Sequence, residues 1–366
     1  GLDWTLTRMF RAGFAIEQTL GHVTFGQNLR RLLADEPDLE TSWLDVPFRP
    51  QSLAYRMPPA SINWSLRGSL YARQQLLSSE WRNVDCAFVH TLTISLLATP
   101  FYERVPTVLS TDATPINLDS IASGYGHRRQ PEIIERTKLA LTRRALRQAR
   151  AYVAWSEWAK RSLVDDYGVP EDKVLVAAPG TDVDLYERAC VRRDGPPRIL
   201  FVGGDFLRKG GDLLLEAFQT RLRGKAELHL VTGYPVPEQE GVFQYAGLPP
   251  NSEPLLDLYR QADIFALPTR ADCLAVVLGE AMAASLPIVT TDVGAHGEAV
   301  QDTHNGFLIP RDDAAALGDA LERLVDDPGL RETMGQRARC LAETHFDAAK
   351  NARKVVQHMQ MAAEGF

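Results

Sequence analysis

Two acidic residues, Asp272 and Glu280, stand in an otherwise apolar stretch of the sequence. No Lys or Arg lies within four residues of Glu280 on either side, so a carboxylate buried there needs a hydrogen-bond partner from elsewhere. A pair of hydroxyl groups on a ligand is one such partner. Asp272 lies where the N-cap of a helix belongs, so a capping role and a ligand contact are both open interpretations of it.

Backbone amides ahead of Glu280 add an anion site to this pattern. The helix predicted over residues 274–284 leaves the N–H groups of its first residues without partners inside the helix, and such groups bind phosphate. Glu280 is five residues past Ala275, which is roughly 7–8 Å along a helix axis. That spacing suits a diphosphate at the start of the helix and a ribose alongside it.

A lysine follows a second, glycine-containing loop. Residues 198–203 predict a strand, and Lys209 lies between it and a helix predicted over residues 211–220. A lysine at the start of a helix adds positive charge where the helix already attracts phosphate. A solvated loop lysine is the alternative interpretation.

Three further polar residues in the first half of the chain follow predicted strands. His22 comes after the first strand and directly after Gly21, a residue type that permits close approach of the backbone to a ligand. His90 ends the strand predicted over residues 85–90, and Asp112 follows the one over 106–110. The carboxyl ends of parallel strands are where site residues lie, although a structural histidine remains the alternative for His90.

The elements that must position these residues alternate between strand and helix. Short apolar strands separated by helices indicate parallel sheets covered on both faces, so we predict an α/β fold of two doubly wound domains with the best ligand cleft between them. Residues 187–197 have the composition of a linker. The predicted strands are 12–17, 41–48, 85–90, 106–110, 151–155, 173–177, 198–203, 227–232, 242–247, 263–267 and 287–290, and the main helices are 25–34, 61–79, 132–150, 157–167, 211–220, 254–262, 274–284, 314–325 and 330–345.

Composition narrows the class of protein. The 366 residues are 45% hydrophobic and 24% charged, which is typical of a soluble globular protein of two domains and excludes a disordered chain, a collagen or a coiled coil. No apolar run approaches the ~18 residues of a membrane helix, and no signal peptide opens the sequence. We therefore expect a cytoplasmic location.

Charge and cysteine content exclude two further classes. The net charge is −7, and it is divided unevenly, with +1 up to residue 195 and −8 from there on. This balance argues against general nucleic-acid binding. The four cysteines lack the spacing of metal ligands and predict free thiols in a reducing compartment.

No GxGxxG, P-loop, HExxH or GxSxG motif occurs. We expect neither a cofactor nor a metal, and we interpret the pair Asp182 and Asp184 as structural.

Taken together, these motifs resemble the retaining glycosyltransferases of family four, which have the GT-B fold of two facing Rossmann-like domains. The resemblance covers nearly the whole chain. It is carried by Asp272-x(7)-Glu280-Ala-Met-Ala-Ala-Ser-Leu-Pro-Ile-Val, Thr291-Asp-Val-Gly-Ala-His-Gly-Glu298, Asn305-Gly-Phe-Leu-Ile-Pro310, Ala154-Trp-Ser-Glu-Trp, Tyr167-Gly-Val-Pro-Glu-Asp-Lys-Val and Ala178-Pro-Gly-Thr-Asp-Val-Asp184.

The resemblance implies a role for each matching position. Glu280 would hold the nucleotide ribose and Asp272 would touch the donor sugar. Lys209 would bind phosphate and His90 would contact the sugar. The remaining donor-binding positions are Gly21 in the first loop, Gly247 and Leu248 at the base, and the loop backbone of Cys273, Leu274, Ala275 and Val276.

Three positions depart from the family pattern. Gly204 stands where the family commonly has Arg, five residues before the lysine, and Arg208 and Arg270 are the candidates to replace that charge. Asp272 is one methylene shorter than the family's Glu. Residues 273–275 read Cys-Leu-Ala in place of Gly-Phe-Gly.

The implied activity is transfer of a sugar from a nucleotide-diphosphate donor to an acceptor with retained anomeric configuration. A front-face attack assisted by the leaving phosphate needs no protein nucleophile; a covalent carboxylate route is the alternative. Two other functions remain open, a sugar-nucleotide epimerase on the same fold and a two-lobed sugar- or nucleotide-binding protein.

We divide the chain into an acceptor domain, residues 1–190, and a donor domain, residues 191–346, with a terminal helix over 347–366 packing back on the first. Acceptor contacts are expected from His22 and from the loop that begins at Asp112 and runs to residue 130. Residues 122–150 carry eight bases and two acids, which favours either a solvated basic face or a peripheral contact with anionic membrane; flotation with anionic liposomes distinguishes the two.

Overall fold

Two parallel sheets organise the chain in this computed structural model. The structure describes residues 9–19, 21–48, 63–121, 131–187 and 195–365. Two compact units contain them: unit 1 includes the described residues of 9–116, 131–179 and 348–365, and unit 2 those of 117–121 and 180–347. The predicted boundary at residue 190 lies outside the described residues.

Unit 1 contains a six-stranded sheet in the order β2-β1-β3-β4-β5-β6, with neighbouring strands parallel. Its strands are β1 (Phe10–Gln18), β2 (Leu39–Pro47), β3 (Cys86–His90), β4 (Thr107–Thr111), β5 (Ala151–Ala154) and β6 (Val174–Val176). The first seven helices are α1 (Gly21–Leu32), α2 (Trp64–Leu76), α3 (Leu92–Ser95), α4 (Thr99–Tyr102), α5 (Pro115–Ile121), α6 (Glu132–Gln148) and α7 (Glu157–Asp165).

Unit 2 has a second six-stranded parallel sheet in the order β12-β11-β10-β7-β8-β9. Its strands are β7 (Arg198–Val202), β8 (Glu227–Val231), β9 (Val242–Tyr245), β10 (Ile264–Leu267), β11 (Ile288–Thr291) and β12 (Gly306–Ile309). The remaining helices are α8 (Gly211–Ala217), α9 (Glu253–Gln261), α10 (Val276–Ala283), α11 (His296–Ala299), α12 (Ala314–Asp326), α13 (Pro328–His345) and α14 (Ala348–Glu364), the last of which belongs to unit 1.

Alternating side chains of the unit 1 strands build a core on each face of that sheet. Phe14 and Phe88 point to one face, where Val355 and Met359 of α14 cover them together with residues of α1. Ala15, Ala87 and Val89 point to the other face, where they pack with side chains such as Trp81, Phe101 and Leu146. The period of two along each strand therefore produces a sheet buried on both sides, as all-parallel sheets require.

The predicted α/β fold class is confirmed, and every predicted strand is present with ends that differ by one or two residues. Strand β12 was not predicted, because it is short and begins with Gly306. A Cβ at that residue would lie 2.0 Å from the carbonyl oxygen of Ile288, so glycine here permits close pairing with β11 rather than marking a turn. The apolar run 92–101 forms the short helices α3 and α4, which the sequence analysis also missed.

The apolar side of the basic helix α6 packs inside unit 1 at the C-terminal end of the helix. Ala145 and Leu146 lie in the core, whereas Arg143, Arg144 and Arg147 are exposed. The apolar positions of this end of the helix are therefore satisfied by packing. Residues 122–130, the rest of the basic segment, lie outside the described residues.

Each sheet reverses its strand order at one point, which fixes where a ligand is bound. In unit 2 the chain runs outward from β7 to β9 in one direction and from β10 to β12 in the other, so β7 and β10 flank the reversal. In unit 1 the same reversal lies between β1 and β3. In folds of this kind the helices that follow the two flanking strands cover opposite faces of the sheet. Ligands bind in the crevice that this leaves at the carboxyl ends of the strands.

Gly210 is expected to be essential for joining the loops after β7 and β10. It has φ +74°, and a Cβ there would lie 2.0 Å from the carbonyl oxygen of Pro268. Gly210→Ala should therefore cost about 3 kcal/mol or more through backbone strain and a main-chain clash. Gly224→Ala is the matched control, because Gly224 has φ +77° and nothing within 4 Å of its Cβ position; it should cost about 1 kcal/mol. Denaturant unfolding of both variants measures the difference, and equal losses would contradict the close approach.

Candidate functional site

The loops after β7 and β10 meet at the strand reversal of unit 2. The Arg270 amide donates to the Arg208 carbonyl oxygen at 2.8 Å, and the Thr269 hydroxyl donates to the same oxygen at 3.2 Å. Gly210 permits the close approach of the two chains described above. The two loops therefore form one continuous surface that holds the side chains of Arg208, Lys209 and Asp272.

A buried ion pair lies at the centre of this surface. The Lys209 ammonium donates to Asp272 Oδ2 at 2.6 Å, and the side chains are only 13% and 11% exposed. Arg208 Nη1 lies 3.6 Å from Asp272 Oδ1, and the same guanidinium pairs with Asp205 at 3.0 Å. Two cations thus share one buried carboxylate, with a second, more exposed carboxylate at the edge.

These charges keep Asp272 ionised. Burial works to raise its pKa, but the charges of Lys209, His296 and Arg208 and the Lys209 hydrogen bond outweigh burial and leave the pKa below its ordinary value. Burial lowers the pKa of His296 to about 4, so this imidazole is neutral at pH 7. Its Nδ1 lies 3.0 Å from the Thr290 hydroxyl, and its buried Nε2 has no hydrogen-bond partner among the described residues.

The segment 272–276 leads from this cluster into α10. The helix begins at Val276 after the N-cap residue Ala275, and no side chain caps it, so Asp272 is not the N-cap that the sequence allowed. Gly294 packs against this segment, since a Cβ there would lie 2.3 Å from the Asp272 carbonyl oxygen. The Ala295 amide donates to the Cys273 carbonyl oxygen at 2.7 Å. These contacts fix the backbone that precedes the uncapped amides of α10.

Glu280 lies within α10 and is buried, as the sequence predicted, but its partners are two tyrosines. The Tyr259 hydroxyl donates to Glu280 Oε2 at 2.6 Å. Burial raises the pKa of Glu280, and hydrogen bonds from Tyr259 and Tyr186 offset part of that rise. A ligand hydroxyl is thus not required to satisfy this carboxyl group.

The other candidate residues of unit 2 have distinct surroundings. Arg270 pairs with Asp212 at 2.7 Å and with Asp312 at 2.6 Å, whereas Arg208 lies at Asp272. Of the two candidates for the missing cation, Arg208 is therefore the one beside the cluster. A Cβ at Gly204 would meet nothing within 4 Å. Gly247 and Leu248 follow the edge strand β9, and Leu274 and Ala275 are buried in the segment before α10.

His22, His90 and Asp112 come together at the strand reversal of unit 1. His22 Nε2 lies 3.4 Å from Asp112 Oδ2, and its ring centroid lies 4.7 Å from that of His90. Helix α1 begins at Gly21, four residues earlier than predicted, with the His22 amide donating to the Thr19 carbonyl oxygen at 3.0 Å. Gly21 and His22 therefore belong to the first turn of α1 and not to a loop before it.

The two histidines of this cluster differ in the direction of their pKa shifts. Burial works to lower the pKa of His22, but Asp112 and Glu17 outweigh burial and raise that pKa. Burial also works to raise the pKa of Asp112, yet His22 and His90 lower it to about 2. Burial and the neighbouring His22 hold the pKa of His90 well below its ordinary value. The cluster thus combines a His22–Asp112 pair, whose pKa shifts favour the charged form of both groups, with His90, whose pKa shift favours the neutral form and whose Nε2 has no partner among the described residues.

Three residues of these clusters were not found from the sequence. Glu17 is buried and accepts hydrogen bonds from the hydroxyls of Thr19 and Thr91 and from the Trp64 indole. The position of Glu17 at the end of the first strand was a usable signal. His296 lies within the motif of residues 291–298, but its distance from Asp272 along the sequence gave no sign that the two side chains are neighbours. Tyr259 is separated from Glu280 by 21 residues.

Other classes of site have no support within the described ranges. No group of three or more His, Cys, Asp or Glu side chains there is arranged to hold a metal ion. Asp184 lies in the 3-10 turn Val183–Tyr186, which Asp182 precedes. Cys86, Cys273 and Cys340 form no disulfide; Cys190 lies outside the described residues. None of the helices described is long and apolar enough to span a bilayer.

Two different family models match the two parts of the chain. Residues 28–185 match the family model "Glycosyltransferase Family 4", and residues 196–327 match "Glycosyl transferases group 1". A D-inositol 3-phosphate glycosyltransferase from Nocardia farcinica is 32% identical over 204 residues, which cover 49% of this chain and 45% of that protein. One from Xylanimonas cellulosilytica is 31% identical over 52% of each chain. The matched region spans about half the length of these curated relatives.

Solved structures share the fold over nearly the whole chain. A sucrose-phosphate synthase from Thermosynechococcus elongatus superimposes with a TM-score of 0.76 at 16% identity, covering 96% of this chain and 98% of that one. HepE from Anabaena, in complex with UDP-glucose, gives a TM-score of 0.68 at 15% identity and covers 96% and 99%. Identities this low compare folds alone.

One family model covers most of unit 1, and the other covers the part of unit 2 that carries Lys209, Asp272 and Glu280. The chain belongs to the group 1, family 4 glycosyltransferases and has their GT-B fold.

Proposed function

We propose that the protein is a retaining glycosyltransferase that moves a sugar from a nucleotide-diphosphate sugar to an acceptor hydroxyl. The observation that supports this most directly is the cluster at the unit 2 strand reversal. Two cations, Arg208 and Lys209, lie there beside the uncapped N-terminus of α10. Fixed positive charge and unpaired amides at the carboxyl ends of parallel strands suit a diphosphate.

In this proposal the protein stabilises the leaving group. The bond between the anomeric carbon and the diphosphate oxygen breaks, and negative charge develops on the diphosphate. Lys209, Arg208 and the amides at the start of α10 stabilise that charge. The acceptor hydroxyl attacks the same face of the sugar, and its proton passes to the leaving phosphate oxygen. No protein nucleophile and no metal ion takes part.

Glu280 is proposed to hold the ribose of the donor. Tyr259 and Tyr186 both hydrogen-bond this carboxyl group, but a carboxylate has about four lone-pair positions, so Glu280 retains acceptor capacity for ribose hydroxyls. Its place one turn beyond the start of α10 keeps the ribose next to the diphosphate. Gly247 and Leu248 are proposed to contact the base.

The acceptor is proposed to bind at the unit 1 cluster. Asp112 and Glu17 offer carboxylate oxygens to hydroxyl groups, and His22 offers a charged N–H. His90 is proposed to contact the transferred sugar through its unpartnered Nε2. The relatives named for inositol 3-phosphate support a polyhydroxylated acceptor as the first compound to test.

The location is proposed to be cytoplasmic. The exposed arginines of α6 support an electrostatic contact with anionic lipid, while the burial of Ala145 and Leu146 argues against insertion of that end of the helix. Peripheral membrane contact through residues 122–150 stays a prediction.

The function is tested with the full chain and a panel of UDP, GDP, ADP and TDP and their glucose conjugates. UDP-glucose is assayed first, because the Anabaena neighbour was solved with it. With inositol 3-phosphate or a mixture of polyols as acceptor, NMR of the product reports whether the anomeric configuration of the donor is kept. Inversion would refute the retaining mechanism, and conversion of the donor sugar without an acceptor would indicate an epimerase.

Lys209→Met is expected to weaken nucleoside diphosphate binding about 10- to 100-fold and nucleoside binding by less than twofold, because a charge-assisted phosphate contact contributes about 1.5–3 kcal/mol. Isothermal calorimetry measures both affinities. Lys225→Met is the matched control, since Lys225 is 52% exposed and pairs only loosely with Glu322, at 3.4 Å. Equal losses for nucleoside and nucleoside diphosphate would exclude a phosphate contact.

Glu280→Ala is expected to abolish turnover and to weaken nucleotide binding, whereas Glu280→Gln should keep part of the binding because an amide oxygen still accepts a hydroxyl. Tyr259→Phe removes the tyrosine hydroxyl and leaves the carboxylate in place; it should cost about 1 kcal/mol of stability and change nucleotide affinity by less than twofold. If Tyr259→Phe impaired binding as much as Glu280→Ala, Glu280 would act through packing and not on the ribose.

The His22–Asp112 pair should stabilise the fold most between about pH 4 and 6.5. Asp112 has a folded pKa of about 2, below its ordinary 3.8, so its contribution is complete above 3.8 and is lost as the pH falls towards 2. The raised pKa of His22 gives a contribution that is complete below 6.5 and is lost as the pH rises through the folded value. Asp112→Asn should therefore lower the free energy of unfolding most near pH 5, by on the order of 2 kcal/mol.

Thermal unfolding at pH 3, 5 and 8 measures this window. Asp45→Asn is the control, because Asp45 forms an exposed pair with Arg30 and should show a small loss without the maximum near pH 5. A destabilisation by Asp112→Asn that is the same at pH 5 and pH 8 would contradict the charged pair.

A further inference from the structure

We propose that Asp272 is the fixed counter-ion of Lys209 and Arg208, and that it positions these cations for the donor diphosphate instead of contacting the donor sugar. This inference rests on the proposed function of the unit 2 cluster. It differs from the role that the family resemblance gives to this acidic position. It makes Asp272 a positioning residue that acts through Lys209.

The hydrogen bonds of the Asp272 carboxylate are directed into the protein. Oδ2 accepts from the Lys209 ammonium at 2.6 Å and lies 3.2 Å from the Thr269 hydroxyl. Oδ1 faces the Arg208 guanidinium at 3.6 Å. Both oxygens therefore face side chains of the loops after β7 and β10. No sugar hydroxyl is needed to satisfy this carboxylate, because each of its oxygens already faces a cation.

The backbone at Asp272 is fixed, so the carboxylate cannot follow a ligand far. A Cβ at Gly294 would lie 2.3 Å from the Asp272 carbonyl oxygen, and the Ala295 amide donates to the Cys273 carbonyl oxygen at 2.7 Å. An aspartate has one methylene fewer than a glutamate and stays close to its own main chain. From this backbone the short side chain of Asp272 reaches Lys209, which lies in the loop after β7.

The charge balance explains why the cations need Asp272. Lys209 is only 13% exposed and Arg208 only 10%, and two buried cations beside each other repel unless a carboxylate lies between them. The neighbouring imidazole of His296 is neutral at pH 7 and so adds no third positive charge, but it has no anionic form with which to balance the two cations. Asp272 thus fixes the position of the Lys209 ammonium before the diphosphate arrives, which is the arrangement that favours stabilisation of a developing charge.

Asp272→Asn separates a positioning role from a sugar contact. We expect the affinities for a nucleoside diphosphate and for its glucose conjugate to fall together, each about 10-fold or more, with a ratio that stays within twofold of the wild-type ratio. The probe is the nucleoside diphosphate with the highest affinity in the panel, measured by calorimetry. A loss confined to the glucose conjugate would overturn the inference, and so would tighter binding of both ligands, because Asp272 would then repel phosphate rather than hold the cations.

A double-mutant cycle with Lys209→Met tests whether Asp272 acts through the lysine. If it does, Asp272→Asn adds less than a twofold loss of nucleoside diphosphate affinity when Lys209 is already Met. Independent, multiplicative losses would overturn the inference, since a structural defect or a sugar contact does not depend on Lys209. Asp272→Glu keeps the charge and should retain most of the affinity; it also serves if Asp272→Asn fails to fold.

The controls separate failure of this inference from failure of the proposed function. If the wild-type protein binds none of the nucleoside diphosphates, the proposed function itself is wrong. If it binds one and Lys209→Met weakens that binding while Asp272→Asn impairs only the sugar conjugate, the function stands and Asp272 contacts the sugar. Lys225→Met should leave every affinity within twofold of wild type in either case.

Discussion

The buried ion pair between Lys209 and Asp272 is the interaction on which the unit 2 site depends. It joins the loops after β7 and β10 at the point where the strand order reverses. Removing one partner of such a pair leaves an uncompensated charge, which costs far more than the pair contributes. The backbone contacts at Gly210 and Gly294 serve the same end, because each brings main chain from a second loop against the segment 268–273. The two loops are thus joined through both side chains and main chain.

Both sheets place their polar side chains by the same geometric rule. In each unit the clustered residues lie at the carboxyl ends of strands at or next to the reversal of strand order. These strands are β7 and β10 in unit 2, and in unit 1 they are β1, β3 and the adjacent β4, which Asp112 follows. Their chemistry differs. Unit 2 offers two cations to one buried acid, whereas unit 1 offers Glu17 and Asp112 to a charged His22. An anionic ligand therefore fits the first cluster, and a ligand rich in hydroxyl groups fits the second.

The sequence predicted the strands, and hence the fold class, because short apolar runs and the helices between them are local patterns. It also singled out Lys209, Asp272, His22, His90 and Asp112, because each lies at or after the carboxyl end of a predicted strand. Partnerships between distant residues were beyond it. The lack of a Lys or Arg near Glu280 in the sequence suggested a ligand as its partner, yet Tyr259, 21 residues earlier, supplies the hydrogen bond. The order of the strands, which decides that the loops after β7 and β10 meet, is likewise a property of the folded chain alone.

The departures of this chain from its family fit one another in physical terms. By the family resemblance an arginine is common at the position of Gly204, and a Cβ there would meet nothing within 4 Å, so no neighbouring group fills this place. Arg208 lies at Asp272 instead, four residues further along the same loop. Its guanidinium also pairs with Asp205 and donates to the Ala271 carbonyl oxygen at 2.7 Å, so it is fixed from both loops. In this chain the second cation beside the acid is therefore Arg208, and the short side chain of Asp272 faces it through one oxygen and Lys209 through the other.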